Sequence, residues 1–169
     1  MLKNHRKQAA RTVACHVITV SDTRTEETDK SGKLIQQLLA DAGHSTAAYA
    51  IVTDDAEAIE AEIEKGITNP RIDAIILNGG TGIAKRDVTI EIVQTKLDKE
   101  MPGFGEIFRF LSYRDDIGTA AILSRATAGT ARATVIFAVP GSTGAVRLAM
   151  ESLILPEIGH VVGEVRKDL

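Results

Sequence analysis

Three stretches of this chain are apolar almost without interruption: "VACHVITV" (13–20), "AIIL" (74–77) and "ATVIFAV" (133–139). All three are short and rich in β-branched residues. A strand with one wet face alternates polar and apolar side chains, so runs this continuous belong to strands covered on both faces. "TAAYAIV" (46–52) is a fourth, weaker strand candidate. Amphipathic helical stripes fall between the runs. Leu34, Ile35, Leu38, Leu39 and Ala42 mark one, stopped by Gly43. Ile59 and Ile63 mark a second, ending near Gly66, and Ile90, Val93 and Leu97 mark a third. Val146, Ala149, Met150 and Leu153 mark a fourth, interrupted at Pro156 and resumed in "EIGHVVGEV". Strands alternating with helices are joined by right-handed crossovers, which predicts an α/β fold with a mainly parallel sheet.

The chain of 169 residues suits a single domain, expected over residues 12–169, without repeats or linkers. Residues 1–11, "MLKNHRKQAAR", are basic and are expected to form a mobile N-terminal arm. The arm lacks the apolar segment of a signal peptide, and no run is long enough to cross a membrane. The expected location is therefore the cytoplasm. A net charge of −3 gives no attraction to nucleic acid or to an anionic membrane. The single Cys15 excludes an internal disulfide and a cysteine-based zinc site, and its apolar run makes it a buried small side chain. His5, His16, His44 and His160 are scattered without metal-binding spacing.

Two glycine-containing loops leave the ends of strand candidates: "NGGTG" (78–82) and "PGSTG" (140–144). In an open parallel sheet, ligands sit outside the carboxyl ends of the strands. Glycines let the backbone approach a ligand and point successive N–H groups at an anion, and a following helix adds its positive end. Neither loop is a P-loop, and neither has the glycine spacing of the dinucleotide fingerprint. A plain tight turn and a phosphate cradle are both open. The acids are equally double-sided. Asp87 suits an N-cap, Asp54 with Glu57 has capping-box spacing, and Asp22 suits a turn. Yet Asp22, Asp54 and Asp87 each follow a different strand candidate, so a parallel sheet gathers them along one edge. Carboxylates beside phosphate-binding loops suit magnesium, which takes oxygen ligands and shares them with substrate phosphates. Arg86 is placed to neutralise a phosphate or to stay solvated.

The segments "VITVSD" (17–22), "GGTGIAKRDVTIE" (79–91), "PGFGEIFR" (102–109), "LSRATAG" (123–129) and "FAVPGSTGAV" (137–146) resemble the MoaB/Mog family of molybdenum-cofactor biosynthesis proteins. The order of the segments matches over most of the chain, and the "PGST" loop is more like the MoaB branch. The resemblance implies a three-layer α/β/α sandwich that assembles as a homo-oligomer, a trimer or a hexamer. It implies binding of molybdopterin, a pterin with a dithiolene and a terminal phosphate. In the Mog branch and some MoaB-type members that phosphate attacks Mg-ATP, giving adenylyl-molybdopterin and pyrophosphate. By the same resemblance the required acids are Asp87 and Asp54, with magnesium at both. The substrate-binding set implied is Ser21, Asp22, Gly79, Gly80, Thr81, Gly82, Arg86, Ser124, Pro140, Gly141, Ser142 and Thr143. The family often has proline where this chain has Lys85 and Ile90. The alternative is a non-catalytic protein of the same pathway that binds molybdopterin or scaffolds other enzymes.

The chemistry fits these residue types on its own terms. Joining one phosphate to another brings two anions together, so positioning and charge neutralisation dominate. A phosphate nucleophile is already ionised at neutral pH and needs no general base. Phe104, Phe108 and Leu111 share one helical face, expected to be covered in the core or, by preference, between subunits.

Overall fold

The computed structural model describes residues 12–169; the expected arm at 1–11 lies outside the described residues. The chain runs β1 (Ala14–Val20), α1 (Lys30–Asp41), β2 (Ser45–Val52), α2 (Ala56–Thr68), β3 (Ala74–Asn78), α3 (Thr89–Lys96), β4 (Lys99–Glu100) and α4 (Pro102–Asp115). A 3-10 turn (Gly118–Leu123), β5 (Thr127–Ala131), β6 (Thr134–Val139) and α5 (Thr143–Ala149) follow. A π segment (Met150–Ile154) then joins α5 to α6 (Leu155–Val165).

The sheet order is β2-β1-β3-β6-β5-β4. The first four of these strands are parallel, and β5 runs antiparallel to both β6 and β4. Period-2 alternation sends neighbouring apolar residues to opposite faces. Cys15, Val17, Ile76, Val135 and Phe137 face α1, α4 and the α5–α6 helix, meeting Ile35, Leu39, Phe108, Val146, Met150 and Ile158. Ile18, Val20, Ile75, Leu77 and Ile136 face α2 and α3, meeting Ile59, Ile63, Ile90 and Val93. This is an α/β/α sandwich, and the unbroken apolar runs are its doubly covered strands. Burial, reinforced by the charge of Asp73, pushes the Cys15 thiol up to about 12, so it stays protonated inside the first layer. Among the described residues no helix is long and apolar enough to cross a membrane.

Local details differ from the sequence reading in four places. Asp55, not Asp54, caps α2: its extended backbone lets the carboxylate accept from Ala58 N at 3.0 Å. The residue before α3 is Val88, which makes no side-chain cap, so Asp87 does not cap that helix either. Pro156 does not break the last helix. It sits in the first turn of α6, and the π segment widens the preceding turn to receive its ring. Phe108 is fully buried and Phe104 stacks edge-on against Phe137 at 5.3 Å, so that face belongs to the core of its own chain. The solvent side of α4 and the following 3-10 turn instead expose Ile107, Phe110, Tyr113 and Ile122.

Candidate functional site

From β1 the chain crosses to β2 on one side, then returns past β1 to β3 on the other. At such a switch point the loops after β1 and β3 diverge and leave a crevice. A cavity of about 700 Å³ opens there, at the carboxyl ends of β1, β3 and β6. Of the residues singled out in the sequence, Ser21, Asp54, Gly79, Gly80, Thr81, Gly82, Asp87, Ser124, Pro140, Gly141 and Ser142 line it. Asp22, Arg86 and Thr143 do not.

The glycine loop is built by close approach. Gly79 and Gly80 have φ of 96° and 64°, a region that L side chains avoid. A Cβ on Gly79 would strike the Val20 carbonyl, and one on Gly80 would meet Thr89 and lie 2.6 Å from Asp54 Oδ1. The second loop rests on the first, with any Cβ on Gly141 3.0 Å from the Gly79 Cα. Arg125 then braces the loop from behind. Its Nε donates to Thr81 O and Gly82 O at 3.0 and 3.1 Å, and its Nη2 to Gly82 O at 2.7 Å and Asp87 O at 3.2 Å. It also pairs with Glu91, whose carboxyl this hydrogen bond holds below its usual value. Sequence reasoning took Ser124 from "LSRATAG" and passed over Arg125, the only charged residue in that motif.

The acids divide the work. Asp87 Oδ2 accepts from Ala84 N at 3.0 Å and closes the loop on itself. Asp22 Oδ1 accepts from Asp54 N at 2.9 Å, and its other oxygen pairs with Arg86. Asp22 and Arg86 therefore hold the Asp54 backbone from outside the cavity. Asp54 Oδ1 is buried and has no hydrogen-bond partner among the described residues, and the same holds for the neighbouring Thr89 Oγ1. Burial raises the Asp54 pKa, and the nearby Asp87 charge adds to it. A buried carboxylate oxygen without a donor is costly unless something charged or protonated completes it. Ser142 Oγ is spent on capping α5, accepting from Ala145 N at 3.2 Å.

The α1 side of the same cavity is differently made. Asp29 caps α1, its Oδ1 accepting from Gly32 N at 2.9 Å. It is fully buried, and Tyr49 OH donates to its Oδ2. Ser31 Oγ bridges this acid and Asn78 Oδ1, while Asn78 Nδ2 donates to Thr19 Oγ1 at 3.0 Å. Burial pushes the Asp29 pKa up, but the hydrogen bonds from Tyr49, Thr19, Gly32 and Ser31 together outweigh it and hold the group below its usual value.

Among the described residues no three His, Cys, Asp or Glu side chains cluster as a metal site. The donor set present is a pair of carboxylates, one with an oxygen unpartnered among the described residues, beside a loop of closely packed glycines. That fits magnesium, which binds through one or two carboxylates and completes its shell with water and substrate phosphates.

Comparison with known proteins agrees with this geometry. Residues 16–160 match the family model described as "Probable molybdopterin binding domain". The chain is 58% identical over 167 residues to molybdenum cofactor biosynthesis protein B of Bacillus subtilis, covering 99% of this chain and 98% of that protein. A crystal structure of a molybdenum cofactor biosynthesis protein B superposes with a TM-score of 0.92 at 55% identity, covering 95% of this chain and 99% of the other. The tungsten cofactor synthesizing protein MoaB of Pyrococcus furiosus gives 0.84 at 38% identity, covering 94% and 99%. The chain belongs to the MoaB/Mog family of molybdenum-cofactor biosynthesis proteins, on its MoaB side.

Proposed function

We propose that this protein works in molybdenum-cofactor biosynthesis by binding molybdopterin in the switch-point cavity and adenylylating its terminal phosphate with Mg-ATP. The observation that carries this is the unpartnered Asp54 Oδ1, held against Gly80 of a phosphate-shaped loop and close to a second acid. Magnesium held by Asp54 and Asp87 would neutralise charge on the triphosphate. N–H groups of residues 80–82 would bind phosphate oxygens, Gly79 N–H being spent on Val139 O, and Arg125 would keep those groups aimed. A pterin phosphate oxygen forms the new bond to the α-phosphorus of ATP as the bond to pyrophosphate breaks. No proton has to move, which suits a cavity whose lining among the described residues has neither histidine nor cysteine. The two departures from the common family pattern lie away from the chemistry: Lys85 is exposed outside the lining, and Ile90 packs in the core.

Pyrophosphate release is the test. Release that requires both molybdopterin and magnesium supports the enzyme. Molybdopterin retained with no release replaces it with a carrier or scaffold of the same pathway. We place the work in the cytoplasm and assign the homo-oligomer contact to the apolar face of Ile107, Phe110, Tyr113 and Ile122. Phe110→Asp with Ile122→Asp would dissociate the assembly in sedimentation equilibrium; an unchanged mass would exclude that face.

A further inference from the structure

The cavity's charges are unevenly spread. Among the described residues lining it, Asp54 and Asp87 are the acids and Arg24 is the one base. The other arginines nearby are occupied elsewhere. Arg86 pairs with Asp22 outside the lining, and Arg125 spends its donors on Thr81, Gly82, Asp87 and Glu91. An anionic substrate entering this cavity therefore meets a single basic side chain.

That side chain is positioned. The Ser21 hydroxyl accepts from the N–H groups of Thr23 and Arg24, each at 3.2 Å, and so turns the chain after β1 toward the cavity. Arg24 Nη1 then donates to Ser31 Oγ at 3.4 Å and lies 3.8 Å from Asp29 Oδ1. Asp29 is already supplied with donors by Tyr49, Thr19, Gly32 and Ser31, so it orients the guanidinium without clamping it. Among the described residues Nε and Nη2 of Arg24 have no hydrogen-bond partner, and the side chain is 35% exposed. A guanidinium with two donors left in its fork is suited to a phosphate oxyanion.

The strand geometry sets this base apart from the acids. The Asn78 side chain points to Ser31 and Thr19 on the α1 face, whereas a Cβ on Gly80 would point to Asp54 and Thr89, where α3 begins. The glycine loop thus runs between a basic end and an acidic end. We propose that Arg24 holds a phosphate oxyanion of the bound substrate, at the end of the cavity opposite the two acids. This rests on reading the cavity as the site for a phosphorylated pterin and a nucleotide. One anion sits at the acidic end with its counter-ion, the other at Arg24, and the N–H groups of Gly80 and Gly82 lie between them, as joining two phosphates requires.

The test is equilibrium binding of Mg-ATP and of molybdopterin, measured separately on wild type, Arg24→Ala and Arg24→Lys, with the thermal midpoint of each. Arg24→Ala is expected to weaken one ligand about 10- to 100-fold, the range for a hydrogen bond to a charged group, and to spare the other. Arg24→Lys should restore part of the loss, keeping the charge without the fork. Loss confined to molybdopterin supports the proposal and makes the anion the pterin phosphate. Loss confined to Mg-ATP supports it and makes the anion a nucleotide phosphate. Unchanged binding of both ligands, or equal weakening of both, overturns the assignment and leaves the site itself standing. Wild-type protein that binds neither ligand overturns the reading of the site and this assignment with it.

Discussion

Two carboxylates flank one cavity, Asp54 in its lining and Asp29 buried behind Ser31, and their surroundings differ sharply. Asp29 is fully buried yet saturated, with Tyr49, Ser31 and Gly32 all donating to it. Asp54 is less buried yet has an oxygen with no donor among the described residues. Their pKa values move in opposite directions accordingly, down at Asp29 and up at Asp54. Depth of burial alone does not decide the direction; what decides it is whether the fold finishes the hydrogen bonding of the carboxylate. On the function proposed above, the open oxygen of Asp54 is the one a ligand would complete.

That contrast can be broken by mutation. The largest effect is expected from Asp54→Asn, which should lower the proposed adenylylation by about 10²- to 10³-fold, the usual scale for removing a group that stabilises developing charge. Its urea midpoint at neutral pH should hold or rise slightly, because a charged oxygen without a donor is removed; a large drop in stability would make Asp54 structural too. Asp29→Ala should do the reverse and cost roughly 3 kcal/mol of stability in urea titration, since it removes a cap and strands several buried donors. Loss of turnover at full stability in that variant would erase the distinction. Asp55→Ala, the cap that sequence assigned to its neighbour, should cost about 1 kcal/mol with binding intact.

The smallest effect is in pH. The depressed pKa of Asp29 gives stability that is present above the ordinary value of about 4 and lost as pH falls through its folded value. The raised pKa of Asp54 works the other way, giving stability present below about pH 4 and lost as pH rises through its folded value. Titrating urea midpoints on wild type and Asp54→Asn checks this. From neutrality down toward pH 4, wild type should gain relative to the variant, and parallel profiles would show that Asp54 is not strained.

The sequence discloses whatever rests on apolar continuity. β1, β3 and β6 are legible because both their faces are buried, and Gly43 stops α1 with a φ of 82° where the stripe ends. β5 is not legible, because "TAGTA" carries almost no apolar signal. Its residues are small for a reason only the fold reveals: a Cβ on Gly129 would strike Lys99 O and the Leu97 side chain. The glycine loop and the acid pair can be picked out because each follows a strand. Arg125 cannot, since its partners, three backbone carbonyls and the Glu91 carboxylate, lie 34 to 44 residues away. Nor does spacing distinguish Asp54 from Asp55, two identical residues of which one is the cap and the other faces the cavity.

The two-residue strand β4 has a consequence beyond extending the sheet. It forms the outer edge, and both of its residues, Lys99 and Glu100, are charged and exposed. A long apolar border there would offer unpaired main-chain groups to any neighbouring chain and invite stacking into fibres. A border this short, with a charge of each sign, gives no such template. Crowded in a cell at high concentration, the protein is guarded on that side against growing into an aggregate.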